Sequence, residues 1–298
     1  MFLLSGPEKL VALLFLVTTM LSIGLVTGVP QLRSLLASRS LMVRLLIANF
    51  LIVPAVGYLL ARFMPLAPAA AGALVLLACV PGGLATIQYT SKIKEEKTLA
   101  GGMLVLLSVL AVLVSPVILR IVLPAGADFT LPYGRILGFI ALWLLIPLGI
   151  GIFLCGRAPG VAPKLSKVLG LVSLVLFIAF MMMTKSFRKE AVASIGGPAV
   201  GAMVLFIIAS MLIGWFMGGP GRDKRQLFAT VTSMRNAAIC LVIAKNAPSG
   251  DAVMTPLIAF SLLMVTPNTV LTVYSAIRNA IRARKAAGRV EGSKRSGE

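Results

Sequence analysis

Two polar interruptions, set in otherwise apolar sequence, hold most of the residues in this 298-residue chain that could do chemistry. The first is Thr230-Val231-Thr232-Ser233-Met234-Arg235-Asn236, within an apolar stretch running from about 226 to 246. At about 1.5 Å of rise per residue, Arg235 lies near mid-membrane, too deep to snorkel easily to either surface. A charge there costs about several kcal/mol unless it faces protein, water or an anion, which makes Arg235 a candidate site residue. The competing reading is a structural arginine that braces the carbonyls of a broken helix. The second interruption is Cys79-Val80-Pro81-Gly82-Gly83-Leu84-Ala85-Thr86-Ile87-Gln88. Proline removes a donor and glycine relaxes the backbone, so a helix break is predicted at Pro81, Gly82 and Gly83. Backbone groups freed at that depth persist only where they line a cavity or meet a ligand; a simple proline kink is the plainer alternative.

A membrane bundle is needed to position these residues. The chain is 59% hydrophobic and 12% charged, against about 45–50% apolar in soluble domains. Apolar runs fall at roughly 9–28, 42–63, 69–91, 98–123, 134–156, 166–186, 194–218, 226–246 and 254–277, each close to one bilayer crossing. The fold class this implies is an all-α integral membrane protein of about nine transmembrane helices. The run from 10 to 28 contains Thr18, Thr19 and Ser22 and has a mixed Glu8-Lys9 flank, so it reads as a packed helix rather than a removed leader.

What is missing excludes several functions. There is no histidine, which removes the commonest metal ligand and near-neutral acid/base. Cys79, Cys155 and Cys240 lack any CxxC spacing and read as small core residues. All the acidic residues, from Glu8 to Glu298, fall outside the apolar runs, so a proton relay or cation/proton antiporter has no carboxylates to use. The same absence disfavours a membrane-embedded enzyme, and no cofactor is implied.

The net charge of +19 follows the positive-inside rule if the N-terminus is outside and the C-terminus cytoplasmic. Arg33, Arg39, Arg44, Lys92, Lys94, Lys97, Arg157, Lys164, Lys167, Arg222, Lys224, Arg225 and the basic tail then lie inside. This predicts a multi-pass protein of the plasma (inner) membrane whose tail, 281–298, meets anionic lipid rather than nucleic acid. Its partners are then the bilayer and a small-molecule substrate.

The two interrupted runs are five spans apart, and that odd offset makes them cross the membrane in opposite directions. Inverted repeats in secondary transporters place two discontinuous helices in this way, with the substrate held where they meet. The chain accordingly divides into a first repeat of four helices (1–123), a second of five (124–280) and the tail. Over nearly its whole length it resembles the bile acid:sodium symporter family. The resemblance is carried by Ile23-Gly24-Leu25, Asn49-Phe50-Leu51-Ile52-Val53-Pro54, Cys79-Val80-Pro81-Gly82-Gly83, Ser115-Pro116, Ser233-Met234-Arg235-Asn236 and Asn268. It implies two crossing broken helices, lacks the family's first helix, and implies a secondary active transporter of a small organic anion, a carboxylate or sulfonate, working by alternating access.

Substrate contacts are then expected from Asn49, Thr86, Gln88, Ser233, Arg235, Asn236 and Asn268, each with an equal claim to being an interhelical hydrogen-bond link. By the resemblance, the family's sodium-binding glutamate corresponds to Val231, its glutamine to Arg235 and an asparagine to Ile87. Thr86, Ser108 and Asn49 keep a side-chain oxygen, which leaves Thr86 and Ser108 as weak sodium candidates. Sodium coupling is the family trait this sequence supports least, and Arg235 is expected to stand in for a coupling cation. The alternatives are a sodium-dependent symporter of the same family and an auxin-efflux-like export carrier of similar architecture.

Overall fold

The structure, a computed structural model, describes residues 7–83, 86, 89, 97–122, 138, 141–183, 195–245, 250–275 and 277–278. Expectations that fall on Gln88, on the 124–137 connection and on the tail 281–298 lie outside the described residues.

Among the described residues each of the predicted apolar runs carries helix. Helix α1 is Pro7–Val26. A short helix α2, Val29–Ala37, starts on Pro30 in its first turn and packs on the later helix at 97–122. The sequence predicts only a connection between two apolar runs here. The helix is too short to cross a bilayer, and only Leu35 of its apolar residues is fully buried, so it gives no membrane-length signal.

Helix α3 spans Arg39–Phe63. Its ladder widens to a π turn at Ala48–Ile52, where the Val53 N–H reaches back to the Ala48 carbonyl; Pro54 follows with no N–H to place. Helix α4 is Pro68–Cys79 and α5 is Lys97–Val122. A second π turn, Ala141–Leu145, leads into α6, Ile146–Arg157. Then come α7 (Ala162–Met183), α8 (Gly197–Met217), α9 (Arg222–Ser233), α10 (Ala237–Lys245) and α11 (Gly250–Leu263), with helix again over 265–275. Five stretches are long and apolar enough to cross a membrane alone: Arg39–Phe63, Leu99–Leu119, Ala162–Phe180, Gly197–Met217 and Ala252–Ser275. The exposed side chains are themselves apolar, among them Phe63, Phe153, Leu171 and Phe216, as a lipid-facing exterior requires.

Helix α1 packs against α6 and α7, while α3, α4, α8, α9, α10 and α11 pack on one another. The α1–α6 approach is backbone to backbone: a Cβ on Gly24 would strike the Leu148 carbonyl, and one on Gly151 would lie 2.6 Å from the Leu21 carbonyl. Small residues bring membrane helices this close because lipid supplies no hydrophobic drive between them. Polar links join α1 to α7. The Ser22 and Ser166 hydroxyls each donate to the other's carbonyl at 2.9 Å, and Thr19 pairs with Ser173.

Candidate functional site at the meeting of two helix breaks

Helix α4 ends at Cys79, and the chain leaves it through extended Val80 (φ −119°, ψ 86°). Gly82 has φ 92°, a conformation that glycine adopts without a Cβ penalty. The two glycines also make room. A Cβ on Gly82 would come within 3.0 Å of the Ser108 Oγ, and one on Gly83 within 2.5 Å of the Arg235 carbonyl. Thr86, buried, donates its N–H to the Gly83 carbonyl at 3.1 Å.

The second break comes without glycine or proline. Helix α9 ends at Ser233, Met234 is extended (φ −87°, ψ 117°), and α10 begins at Ala237. Its unwound backbone is accounted for by the first break. Pro81 and Arg235 face each other in an antiparallel bridge, the Asn236 N–H donates to the Val80 carbonyl at 3.0 Å, and the Gly83 N–H donates to the Met234 carbonyl at 3.4 Å. Each interruption therefore satisfies groups that the other frees, which is what membrane depth demands. The predicted meeting of the two interruptions is the observed geometry.

The side chains around this crossing divide into two sets. Asn236 spends its amide on the protein, Nδ2 donating to the Gly82 carbonyl at 3.1 Å and Oδ1 accepting the Ile239 N–H at 3.2 Å. Ser233 donates to Asn268 Oδ1 at 3.0 Å, and Asn268 Nδ2 donates to the Met264 carbonyl at 3.0 Å. The other set holds buried polar atoms with no hydrogen-bond partner: Asn49 Oδ1, Ser108 Oγ, and Nε and Nη1 of Arg235. Asn49 sits on the π turn of α3 and extends Nδ2 towards Thr232 Oγ1 at 3.4 Å. Such atoms are costly at membrane depth, so they mark where a ligand or water is wanted.

Arg235 is 2% exposed. Its Nη2 donates to the Thr232 carbonyl at 2.6 Å, and its guanidinium carbon lies 5.9 Å from the centre of the Phe206 ring on α8. The sequence reading found the charge but not its aromatic neighbour, because a phenylalanine in an apolar helix carries no local signal. Ser115, which carries part of the family resemblance, donates its hydroxyl to the Cys79 carbonyl at 2.6 Å and closes the end of α4, a contact that its sequence position does not disclose. Among the described residues, three half-helix ends converge here. The C-termini of α4 and α9 bring partial negative charge and the N-terminus of α10 partial positive charge, with the guanidinium among them.

An all-α, multi-pass membrane protein whose two discontinuous helices meet around buried polar groups has the form of a carrier. The sequence profile of the Sodium Bile acid symporter family matches residues 13–195, and the chain belongs to that family, one of membrane transporters and not of enzymes. The Sodium/bile acid cotransporter 4 of Mus musculus is 27% identical over 209 residues, covering 67% of this chain and 48% of that protein. The P3 protein of Homo sapiens is 25% identical over 197 residues, 65% of this chain and 41% of its own length. The Hepatic sodium/bile acid cotransporter of Rattus norvegicus is 24% identical over 263 residues, 86% of this chain and 72% of its own. The chain thus spans about half the length of the first two relatives.

Proposed function

We propose that the protein is a secondary carrier that moves a small organic anion, a carboxylate or sulfonate, across the inner membrane by alternating access. The observation that supports this most is the buried guanidinium of Arg235 at the crossing, with two nitrogens unpartnered and no Asp or Glu among the described buried residues. An uncompensated buried cation is expensive, and an anionic substrate is the counter-charge that relieves it. Asn49, Ser108 and Thr86, all buried near the two breaks, add neutral side-chain polar atoms of the kind that suit oxygen-rich ligands.

Packing supports the mode of movement. Helices α1, α6 and α7 hold together through the Gly24–Gly151 approach and the Ser22–Ser166 pair, whereas the helices around the crossing pack mainly on one another. Two such bodies that rock relative to each other expose the crossing to one side of the membrane and then the other. In this reading the chain is an inverted repeat, 1–123 against 124–280, with N-terminus outside and C-terminus inside. Family membership favours it over an auxin-efflux-like carrier.

The test is uptake into liposomes holding the purified full chain, across a panel of carboxylates, sulfonates and sulfate conjugates. Saturable uptake of at least one anion, with a ligand-dependent thermal shift for the same compound, is the expected result. Neither uptake nor a shift across the panel overturns the proposal.

A further inference from the structure

We infer that Arg235 is a built-in cation: a covalently tethered guanidinium that takes the place a dissociable metal cation would otherwise hold between two helix C-termini. The argument starts from fields. Helices α4 and α9 both stop at the crossing, at Cys79 and Ser233, and each presents roughly half a negative charge through its last carbonyls. Such carbonyls require a donor or a cation. The Cys79 carbonyl has the Ser115 hydroxyl, and the Thr232 carbonyl has Arg235 Nη2, both at 2.6 Å. The second contact is a short, charge-assisted bond. The positive charge in the protein thus already sits on the carbonyl that a cation would seek.

Sodium, which the family name implies, does not fit the residues present. A sodium shell needs several hard oxygens, and those nearest the break are the Thr232 carbonyl and the unpartnered Asn49 Oδ1 and Ser108 Oγ, with no carboxylate among the described buried residues. The first is bonded to a guanidinium, and a second positive charge at a buried site is repelled strongly at such range. Arginine keeps its charge at any working pH, so the crossing is positive without an ion gradient. The inference deepens the carrier reading by naming its coupling. It rests on that reading only for the consequence that transport runs without sodium, since its own test measures the protein at rest.

The experiment is thermal unfolding of the purified full chain, parent beside Arg235→Gln and Arg235→Lys, in matched sodium, potassium and choline chloride. The parent and the lysine variant are expected to melt at the same temperature in all three salts, within about 1 °C. Arg235→Gln frees the Thr232 carbonyl while adding a further oxygen. Its melting temperature is expected to be higher in sodium than in choline by about 3 °C or more, the signature of a ligand that binds the folded state alone. Recovery of a folded Gln variant only in sodium supports the inference too. A parent stabilised by sodium as strongly as the Gln variant overturns it, as does a folded Gln variant indifferent to sodium. If the Gln variant folds in no salt, the parent decides: an indifferent parent supports the inference and a sodium-stabilised one overturns it. Failure to transport any anion would defeat the carrier reading and leave these melting curves as they are.

Discussion

The Asn236 side chain donates from Nδ2 to the Gly82 carbonyl at 3.1 Å and accepts the Ile239 N–H on Oδ1 at 3.2 Å. One residue therefore ties down the first break and caps the half-helix that leaves the second. Asn236→Ala removes both bonds and leaves a buried carbonyl and a buried N–H unpaired, at an expected cost of about 2–4 kcal/mol. Asn236→Asp keeps the cap and loses the donor, and is expected to fall between the alanine variant and the parent in a melting series.

The glycines of the chain divide by what surrounds them, and this gives a paired test. Gly83→Ala drives a methyl to 2.5 Å from the Arg235 carbonyl, whereas Gly149→Ala adds one where nothing lies within 4 Å. The first is expected to cost about 2 kcal/mol or more and to weaken ligand binding, because the two breaks must separate. The second is expected to be neutral or slightly stabilising, as alanine is the better helix former. Melting temperatures of the two variants in one detergent decide the matter.

How much of this was legible in the sequence depends on the signal each feature carries. The Pro81-Gly82-Gly83 break announces itself because those residue types have little other reason to stand in a membrane helix. The break at Met234–Asn236 was only hinted at by its polar cluster, since what opens that helix is pairing with Val80 and Gly82, residues more than 150 positions away. Phe206 is hidden from Arg235 for a similar reason, since it stands on another helix and only the packing brings the two together. Helix α2 is not legible because a helix of nine residues has neither the length of a span nor a turn signature. Seven residues were named as substrate contacts, of which Gln88 lies outside the described residues. The structure separates Ser233, Asn236 and Asn268, whose polar atoms are spent on the protein, from Asn49 and Arg235, which keep unpartnered ones. Spacing cannot draw that line, because it depends on hydrogen-bond partners from distant helices.

The reciprocal Ser22–Ser166 bonds predict measurable coupling across the α1–α7 contact. Each single alanine variant leaves the other serine's carbonyl without its donor. A double-mutant cycle on unfolding is expected to return a favourable interaction of about 0.6 kcal/mol, the scale usual for membrane interiors. A value near zero would mean that the α1–α7 contact is held by other links, such as the Thr19–Ser173 pair.

Cys79 and Cys240 are fully buried at the crossing, whereas Cys155 on α6 is partly exposed. In the folded protein a membrane-permeant maleimide is expected to label Cys155 first, with Cys79 and Cys240 reacting only on denaturation. Mass spectrometry of peptides from the native and denatured protein reads this directly, and early labelling of Cys240 would show that the crossing is open to the reagent.

The central claim is that the crossing of the two breaks is the transport site and that Arg235 supplies its positive charge. Initial-rate uptake of a transported anion into liposomes, in sodium, potassium and choline, with Arg235→Gln beside the parent, tests it most directly. The account predicts equal parent rates in the three salts and a variant slower than the parent in choline by about tenfold or more, the equivalent of one lost charge-assisted bond of about 1.4 kcal/mol. Steep sodium dependence in the parent, or an unchanged rate in the variant, would contradict it.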